Sequence, residues 1–243
     1  MSGHSKWNNI KHKKEKTDAQ RGKIFTKIGR EITVCVKEGG GDPTINSKLR
    51  DLIAKAKTLN VPNDNIERVI KKASSVGEGD NYEGITYEGY GPSGVAVIVE
   101  TLTDNRNRTA GSLRHYFDKY GGNLGQSGSV SWQFQKKGVI VVDAEDVDED
   151  ALMELGMDKG AEDVVNEGEA FELTCDPDSF SDLYEAVTQA GYTCLSAEIA
   201  MVPDNYISID SEEGCQNMRK LLDMLEDDDD VQSAWHNWEN EIE

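Results

Sequence analysis

The stretch ITYEGYGPSGVAVIVETLTDNRNRTAGSLRHYFDKY, residues 85–120, decides the fold. Two runs rich in β-branched and aromatic residues, 85–90 and 95–103, flank a Gly-Pro-Ser-Gly turn and are typical of paired strands. From residue 109 to residue 120 the pattern becomes helical, and a Gly-Gly pair follows it. A unit of two strands and a helix excludes the all-α and all-β classes and predicts an α+β fold.

Strands and helices continue to alternate after this unit. The segments fall into βαβ-type units, which suit a split ferredoxin-like topology. We therefore predict two ferredoxin-like α/β domains, the last inserted in the middle one: a discontinuous middle domain of 79–134 and 204–243, and an inserted domain of 135–203. The pattern places strands at 130–134, 139–143, 170–175, 194–201 and 206–209, helices at 148–159, 180–190 and 212–225, and a strand or short helix at 231–238.

The N-terminal third of the chain predicts a separate helical domain. A helix is expected over 18–38, a second over 47–59, and a third that Asn63 caps. With a polar, basic arm of residues 1–16 before them, these helices form an N-terminal three-helix domain within residues 1–78. The apolar stripe of the first helix consists of Ile24, Ile28, Ile32, Cys35 and Val36.

Composition restricts the class of protein. The chain has 243 residues, of which 37% are hydrophobic, enough to bury a core without a disulfide or a metal. Its longest aliphatic run, 95–99, is far short of the roughly 20 residues that span a bilayer. The basic N-terminus lacks the apolar segment of a secretory signal, and the cysteines form no CxxC pair. We expect a cytoplasmic protein with no membrane contact, no disulfide framework and no zinc site.

The net charge of −20 is distributed very unevenly along the chain. Residues 1–75 hold 17 lysines and arginines against 8 aspartates and glutamates, a net charge of +9. Residues 76–243 hold 9 against 38, a net charge of −29. Such segregation indicates two tasks in one chain.

The cations of the first 30 residues predict a nucleic-acid-binding surface. Three of them share one face of the first helix, opposite its apolar stripe, and continue the basic arm. The alternative is a solvated basic face without a partner, which the opposite charge of the remaining chain disfavours. Trp7 and His12 can stack on unpaired bases, although docking of Trp7 onto the helices fits equally well. The candidates are Lys6, Trp7, Lys11, His12, Lys13, Lys14, Lys16, Arg21, Lys23, Lys27 and Arg30.

A second cationic cluster lies between the strand 95–103 and the helix that follows it. Arg106 and Arg108 offer planar donors suited to phosphate, next to a helix N-terminus whose free N–H groups bind anions. In the alternative interpretation the Asx residues of 104–109 cap the helix, and the two arginines pair with the acidic surroundings. Spacing alone does not choose between these interpretations, so both arginines are included in the candidate site.

The sequence contains no motif for catalysis, metal binding or a cofactor. The Gly-rich stretch 121–129 lacks the GK[ST] ending of a P-loop and predicts a turn-rich connector. GxSxG, HExxH and EF-hand patterns are absent, and an enzyme using the loop at 104–106 would lack an acid–base pair. The acidic run 226–230 predicts a solvated loop, since consecutive like charges cannot all point inward. We expect a protein that is not an enzyme and has no cofactor and no small-molecule substrate.

Five stretches together resemble the YebC/PmpR family, which includes the mitochondrial translational activator of cytochrome c oxidase. The resemblance covers essentially the whole chain and implies a three-domain, non-enzymatic cytoplasmic protein with a helical N-terminal domain and two α/β domains. The family's basic and TDNRNRT segments correspond here to residues 4–23 and 103–109. The five stretches are MSGHSKWNNIKHKKEKTDAQRGKIFTKIGREI (1–32), GGGDP (39–43), NVPNDNIERVIKKA (60–73), YEGYGPSGVAVIVETLTDNRNRT (87–109) and GGNLGQSGSVSWQF (121–134).

The resemblance implies two functions for this chemistry. Some members are described as probable transcriptional regulators that bind DNA, and others act as translation factors associated with the ribosome. We therefore expect a nucleic-acid-binding regulator of gene expression, with DNA-binding transcriptional regulation as the first interpretation. The alternative is a ribosome-associated translational activator that binds ribosomal RNA or tRNA.

Overall fold

Three helices form the N-terminal part of the protein. The computed structural model describes residues 18–75 and 82–239. Helix α1 is Asp18–Gly39, α2 is Ser47–Thr58 and α3 is Asn63–Ser74, which confirms the three-helix prediction. The three helices pack around one apolar cluster, to which α1 contributes the buried side chains Ile28, Ile32, Cys35 and Val36.

Asn46 fixes the junction between α1 and α2. Its side-chain oxygen accepts the N–H of Leu49 at 3.2 Å and so caps α2. Its amide nitrogen donates to the carbonyl oxygens of Cys35 at 3.2 Å and Gly40 at 2.8 Å. One buried side chain therefore bonds the end of one helix to the start of the next.

The rest of the chain alternates strands and helices. The strands form two four-stranded sheets, ordered β3-β1-β2-β8 and β5-β6-β4-β7, which confirms the α+β class. In chain order the elements are β1 (Glu83–Tyr90), β2 (Ala96–Thr103), α4 (Arg106–Lys119), β3 (Asn123–Leu124), β4 (Phe134–Asp143), α5 (Glu149–Asp158), β5 (Ala161–Asn166), β6 (Ala170–Cys175), α6 (Phe180–Gln189), β7 (Cys194–Pro203), α7 (Glu212–Asp227) and β8 (Val231–His236).

The first sheet takes strands from both ends of the α/β region. β2 pairs antiparallel with β1 and with β8, and β1 pairs antiparallel with β3. β2 and β3 therefore run in the same direction with β1 between them, and α4 makes the split βαβ connection. Helices α4 and α7 pack on one face of this sheet through Leu113, Phe117, Met218, Leu221 and Leu225.

The second sheet follows the ferredoxin-like order, βαββαβ, from β4 to β7. β6 pairs antiparallel with both β4 and β5. Its core includes Ile140, Leu152, Leu173, Phe180 and Leu183. Ala54 of α2 belongs to the same buried cluster, and α2 packs against α6, so the helical part joins the core of this domain.

The chain divides into two compact units. The helical part and the second sheet belong to one unit, residues 1–77 and 136–200, and the first sheet belongs to the other, residues 78–135 and 201–243. The finer division into three domains, with limits 1–78, 79–134 plus 204–243, and 135–203, stays a prediction.

The two ends of the segment 136–200 lie side by side in the unit of the first sheet. The N–H of Asp204 donates to the carbonyl oxygen of Gln133 at 2.8 Å. The side-chain amide of Gln135 donates to the carboxylate of Asp204 at 2.6 Å. The chain therefore leaves this unit and returns to it at one place.

Two helix starts differ from the sequence expectation. Helix α4 begins at Arg106 instead of residue 109, because the Asn105 side chain accepts the N–H of Arg108 at 3.0 Å and caps the helix earlier. Helix α3 begins at Asn63 itself, and Pro62 occupies the N-cap position without a side-chain hydrogen bond. The prediction that Asn63 caps this helix is therefore wrong.

Three strand predictions also need correction. A 3₁₀ turn at Ser131–Gln133 replaces the strand expected at 130–134, and β4 begins only at Phe134. The segment 206–209 makes a single bridge, between Ile207 and Trp238, instead of a strand. Strand β5 was not predicted, because its sequence AEDVVN is acidic and lies at a sheet edge, where charged side chains are tolerated.

Candidate nucleic-acid interface

The N-terminal candidates divide at the start of α1. Arg21 belongs to this helix, although its side chain lies outside the described residues. The predictions for the arm also fall outside the described residues: Lys6, Trp7, Lys11, His12, Lys13, Lys14 and Lys16.

The described cations of α1 lie away from the buried stripe. Lys23 is exposed, and Lys27 and Arg30 are half-buried. Ile28 and Ile32, by contrast, are 3% and 1% exposed and face the helical core. The helix therefore separates a cationic side from an apolar side, as the spacing of these residues indicates.

Acidic side chains of the helical part are drawn inward. Lys55 lies 3.2 Å from the carboxylate of Glu31 and 3.8 Å from that of Glu198 on β7. Asp51 accepts a 2.5 Å hydrogen bond from the Ser181 hydroxyl at the start of α6. Burial raises the pKa of Asp51 above its usual value. These contacts withdraw two carboxylates and one ammonium group of the helical part from its outer surface, so that surface is more cationic by one charge than the sequence suggests.

Sequence reasoning missed several exposed cations on the helical part. They lie on α1, α2 and α3, beyond the first 30 residues, where their spacing forms no continuous row in the sequence. The net charge of residues 1–75 includes them, but the sequence does not show which of them are exposed. These exposed residues are Lys37, Lys48, Lys57, Arg68, Lys71 and Lys72.

The structure places Arg106 and Arg108 in the first turn of α4 instead of in a loop. One guanidinium nitrogen of Arg108 lies 2.8 Å from Asp104 and 2.7 Å from Asp230. Arg108 is thus held by two carboxylates, as the capping-and-pairing interpretation expects. Its binding of phosphate stays a prediction that requires competition with Asp104 and Asp230.

Arg106 is the more open of the two arginines. Its side chain is 68% exposed, and its contact with Glu83 is long, at 3.8 Å. A long, exposed ion pair contributes little to stability and exchanges easily for another anion. Of the two predicted arginines, Arg106 is therefore better placed to meet a phosphate.

Asp230, the residue directly before β8, fixes the start of α4. Its carboxylate accepts hydrogen bonds from Thr109 at 2.8 Å, Thr103 at 3.2 Å and Arg108 at 2.7 Å. Burial acts to raise the pKa of Asp230, but these donors outweigh it and lower the pKa below its usual value. The sequence predicts a solvated loop for the whole acidic run 226–230. That prediction is wrong for Asp230, which is buried and accepts the hydrogen bonds described above.

Glu88 organises the Gly-rich connector, which sequence reasoning did not foresee. The Glu88 carboxylate is buried and accepts the backbone N–H groups of Gly128, Val130 and Ser131, each at 2.8 Å. These donors outweigh the burial that acts to raise its pKa, so the pKa of Glu88 is lowered. In the sequence, the only indication of this role is a charged glutamate within the predicted strand 85–90. The connector presents the exposed side chain of Trp132.

Within 18–75 and 82–239, no three His, Cys, Asp or Glu side chains are grouped as a metal site would need. None of the helices in these ranges is both long and apolar enough to cross a membrane.

Comparison with known proteins places the whole chain in one family. Residues 5–76 match the family model "TACO1/YebC protein N-terminal domain", and residues 82–238 match "TACO1/YebC second and third domain". The chain belongs to the TACO1/YebC family. The resemblance found in the sequence is therefore confirmed.

Relatives support this TACO1/YebC assignment over full length. A protein of Acetivibrio thermocellus is 57% identical over 99% of this chain and 100% of its own length. One of Caldicellulosiruptor bescii is 56% identical over 100% of both chains. Both are named "Probable transcriptional regulatory protein". The crystal structure of a conserved hypothetical protein from Aquifex aeolicus has 46% identity, a TM-score of 0.84 and 96% coverage of each chain.

Proposed function

We propose that this protein is a non-enzymatic regulator of gene expression that binds nucleic acid, and that it acts as a DNA-binding transcriptional regulator. The observation that carries the proposal is the segregation of charge in the folded chain. Exposed cations lie on the three helices, whereas the residues from 76 onward carry a net charge of −29. The names of the relatives support a role in transcription.

The electrostatics favour binding with one orientation. A phosphate backbone attracts the helical part and the basic arm, and it repels most of the α/β region. The exposed Arg106 offers an additional contact at the first sheet. Contacts of this kind read the backbone instead of the bases, so binding to a regular duplex should depend weakly on sequence.

The salt dependence of binding tests the proposal. With about five to eight phosphate contacts, the logarithm of affinity should fall against the logarithm of salt concentration with a slope of about −5 to −7. Replacing Lys23, Lys27 and Arg30 by glutamine should reduce the steepness of that slope by about 2 to 3. The measurement is fluorescence anisotropy of a labelled DNA duplex titrated with the full chain at several salt concentrations.

A matched triple variant controls for loss of charge alone. Lys136, Lys159 and Lys220 are exposed lysines of the α/β region, and their replacement by glutamine should leave the slope unchanged. Equal slopes for the wild type and the α1 variant would contradict the proposed surface. No binding to any nucleic acid would contradict the function itself.

Crosslinking in cells separates DNA from RNA as the target. Under the proposed function, sequencing of the crosslinked nucleic acid recovers mainly DNA, and the protein stays at the top of a sucrose gradient. Recovery of ribosomal RNA or tRNA, with co-sedimentation that resists DNase but not RNase, would replace the transcriptional role by a role in translation.

A further inference from the structure

Gly111 lies in the middle of α4 with no packing reason for a glycine. It is exposed, and a Cβ atom added there would meet no atom within 4 Å. Its φ is not in the left-handed region that favours glycine. Glycine in a helix interior is less stable than alanine, so the fold gains nothing from it.

Gly156 in α5 shows what a structural glycine looks like in the same protein. It is buried, and an added Cβ would lie 3.3 Å from side-chain atoms of both Leu173 and Val164. A side chain at position 156 would force these neighbours to shift, because the helix packs closely on the second sheet. At Gly111 the described residues provide no such neighbour, so no contact within the unit accounts for a small residue there.

The side chains around Gly111 indicate what approaches. Residues three and four positions away on a helix lie on the same face. Asn107, Arg108, Arg114 and His115 therefore surround Gly111, and all four are exposed hydrogen-bonding side chains. Of these, Arg108 is already bound by Asp104 and Asp230. We call Asn107, Gly111, Arg114 and His115 the α4 outer face. Asp118, about two turns beyond Gly111, marks its C-terminal edge.

The charge distribution of the unit points to an anionic ligand. Residues 78–135 and 201–243 hold 6 lysines and arginines against 20 aspartates and glutamates, and 4 of the 6 lie on α4. Arg108 is engaged by carboxylates, and the Lys119 ammonium lies 5.2 Å from the centre of the Tyr120 ring. Arg114 makes no hydrogen bond or ion pair with the described residues, so its planar donors are available for phosphate.

We propose that the α4 outer face receives the sugar–phosphate backbone of the bound nucleic acid. Gly111 lets the backbone approach the helix closely, and Arg114 binds a phosphate beside it. This inference rests on the proposed function and extends it from the basic N-terminal part to a second surface. The exposed Arg106, directly before Asn107 at the start of the helix, adds a further cation at this end of α4.

Substitutions at Gly111 test the inference through opposite effects on stability and binding. Gly111→Ala should raise the melting temperature by about 2 to 4 °C, because alanine is the better helix former and meets no atom. The same change should weaken binding severalfold, and Gly111→Leu should weaken it about tenfold or more. Arg114→Gln should reduce the salt slope by about 0.9. The probes are a labelled DNA duplex and a labelled RNA hairpin, titrated with the full chain.

Thr188→Leu is the matched control for added bulk. It introduces the same leucine at an exposed position of α6, in the other unit, and should bind like the wild type. Wild-type binding with unchanged binding by Gly111→Ala, Gly111→Leu and Arg114→Gln would overturn this inference and leave the proposed function intact. Failure of the wild type to bind either probe would overturn both. Weaker binding by Gly111→Ala despite a higher melting temperature supports the inference, since lost stability cannot cause it.

Discussion

Glu88 and Asp230 are buried carboxylates that keep their charge because donors surround them. Burial alone raises the pKa of a carboxylic acid, since it disfavours the charged form. At Glu88 three backbone N–H groups reverse that effect, and at Asp230 two hydroxyls and a guanidinium do so. Both pKa values are lowered, so each carboxylate stabilises the folded chain as an anion.

Replacing Glu88 by glutamine should destabilise the first-sheet unit by about 2 to 4 kcal/mol. An amide keeps one acceptor oxygen, but its NH2 group then faces a backbone N–H that has lost its acceptor. Urea unfolding followed by circular dichroism measures the change. Glu154→Gln, at an exposed position of α5, is the matched control and should change stability little. Equal stability of both variants would contradict the role given to Glu88.

Asp230→Asn should lower stability at pH 7 by about 1 to 3 kcal/mol and flatten its dependence on acid. The pKa of Asp230 is lower in the folded chain than its usual value. The ionised Asp230 carboxylate therefore contributes its full stabilisation at pH values above the pKa of the unfolded chain. This contribution is lost as the pH falls from that pKa through the lower pKa of the folded chain. The test is the free energy of unfolding between about pH 7 and pH 3. Asp229→Asn, at the exposed neighbour, should keep the wild-type profile, and a wild-type profile for Asp230→Asn would disprove the assignment.

At the scale of elements, the junction of α1 and α2 depends on a single side chain. Asn46→Ala removes the cap of α2 and two hydrogen bonds to the end of α1, and should cost about 2 to 3 kcal/mol. Asn46→Asp keeps the capping oxygen but loses the amide N–H donors to Cys35 and Gly40. Its stability should therefore lie between that of the wild type and that of Asn46→Ala. Thermal unfolding of the three proteins measures this order. An aspartate variant as stable as the wild type would show that only the cap matters.

The periodicity of the sequence predicts the helices better than the strands. Helix α1 was predicted because its isoleucines repeat at helical spacing and a glycine run ends it. Strand β5 could not be predicted, since its acidic edge sequence lacks the alternation that marks a half-buried strand. The start of α4 was misplaced because Asn105 is both a turn residue and a cap, and only the structure shows which role it takes.

At the scale of the whole molecule, the negative charge of the α/β region should make stability depend on salt. Residues 136–200 hold 3 lysines and arginines against 18 aspartates and glutamates, a net charge of −15. Repulsion among these charges destabilises the compact state, and salt screens it. The melting temperature should therefore rise as sodium chloride increases from about 50 mM to about 500 mM, while affinity for nucleic acid falls. Choline chloride should act alike, and a falling melting temperature would contradict the explanation.

Charge counts predict which part of the molecule should meet a polyanion, because charge adds up regardless of conformation. They do not predict which cations are available. Lys55 and Arg108 count as positive in the sequence, yet each is paired with carboxylates from distant segments. Such pairings depend on strand order and helix packing, and a local pattern does not contain them.

The neighbouring positions of Gln133 and Asp204 have an evolutionary consequence. The segment 136–200 leaves the unit of the first sheet and re-enters it at neighbouring positions. A single in-frame recombination can therefore add or remove this segment without disturbing any strand pairing of the first sheet. The ancestor of the first-sheet unit can thus have been a smaller, uninterrupted protein. Its two halves now meet where the inserted segment begins and ends.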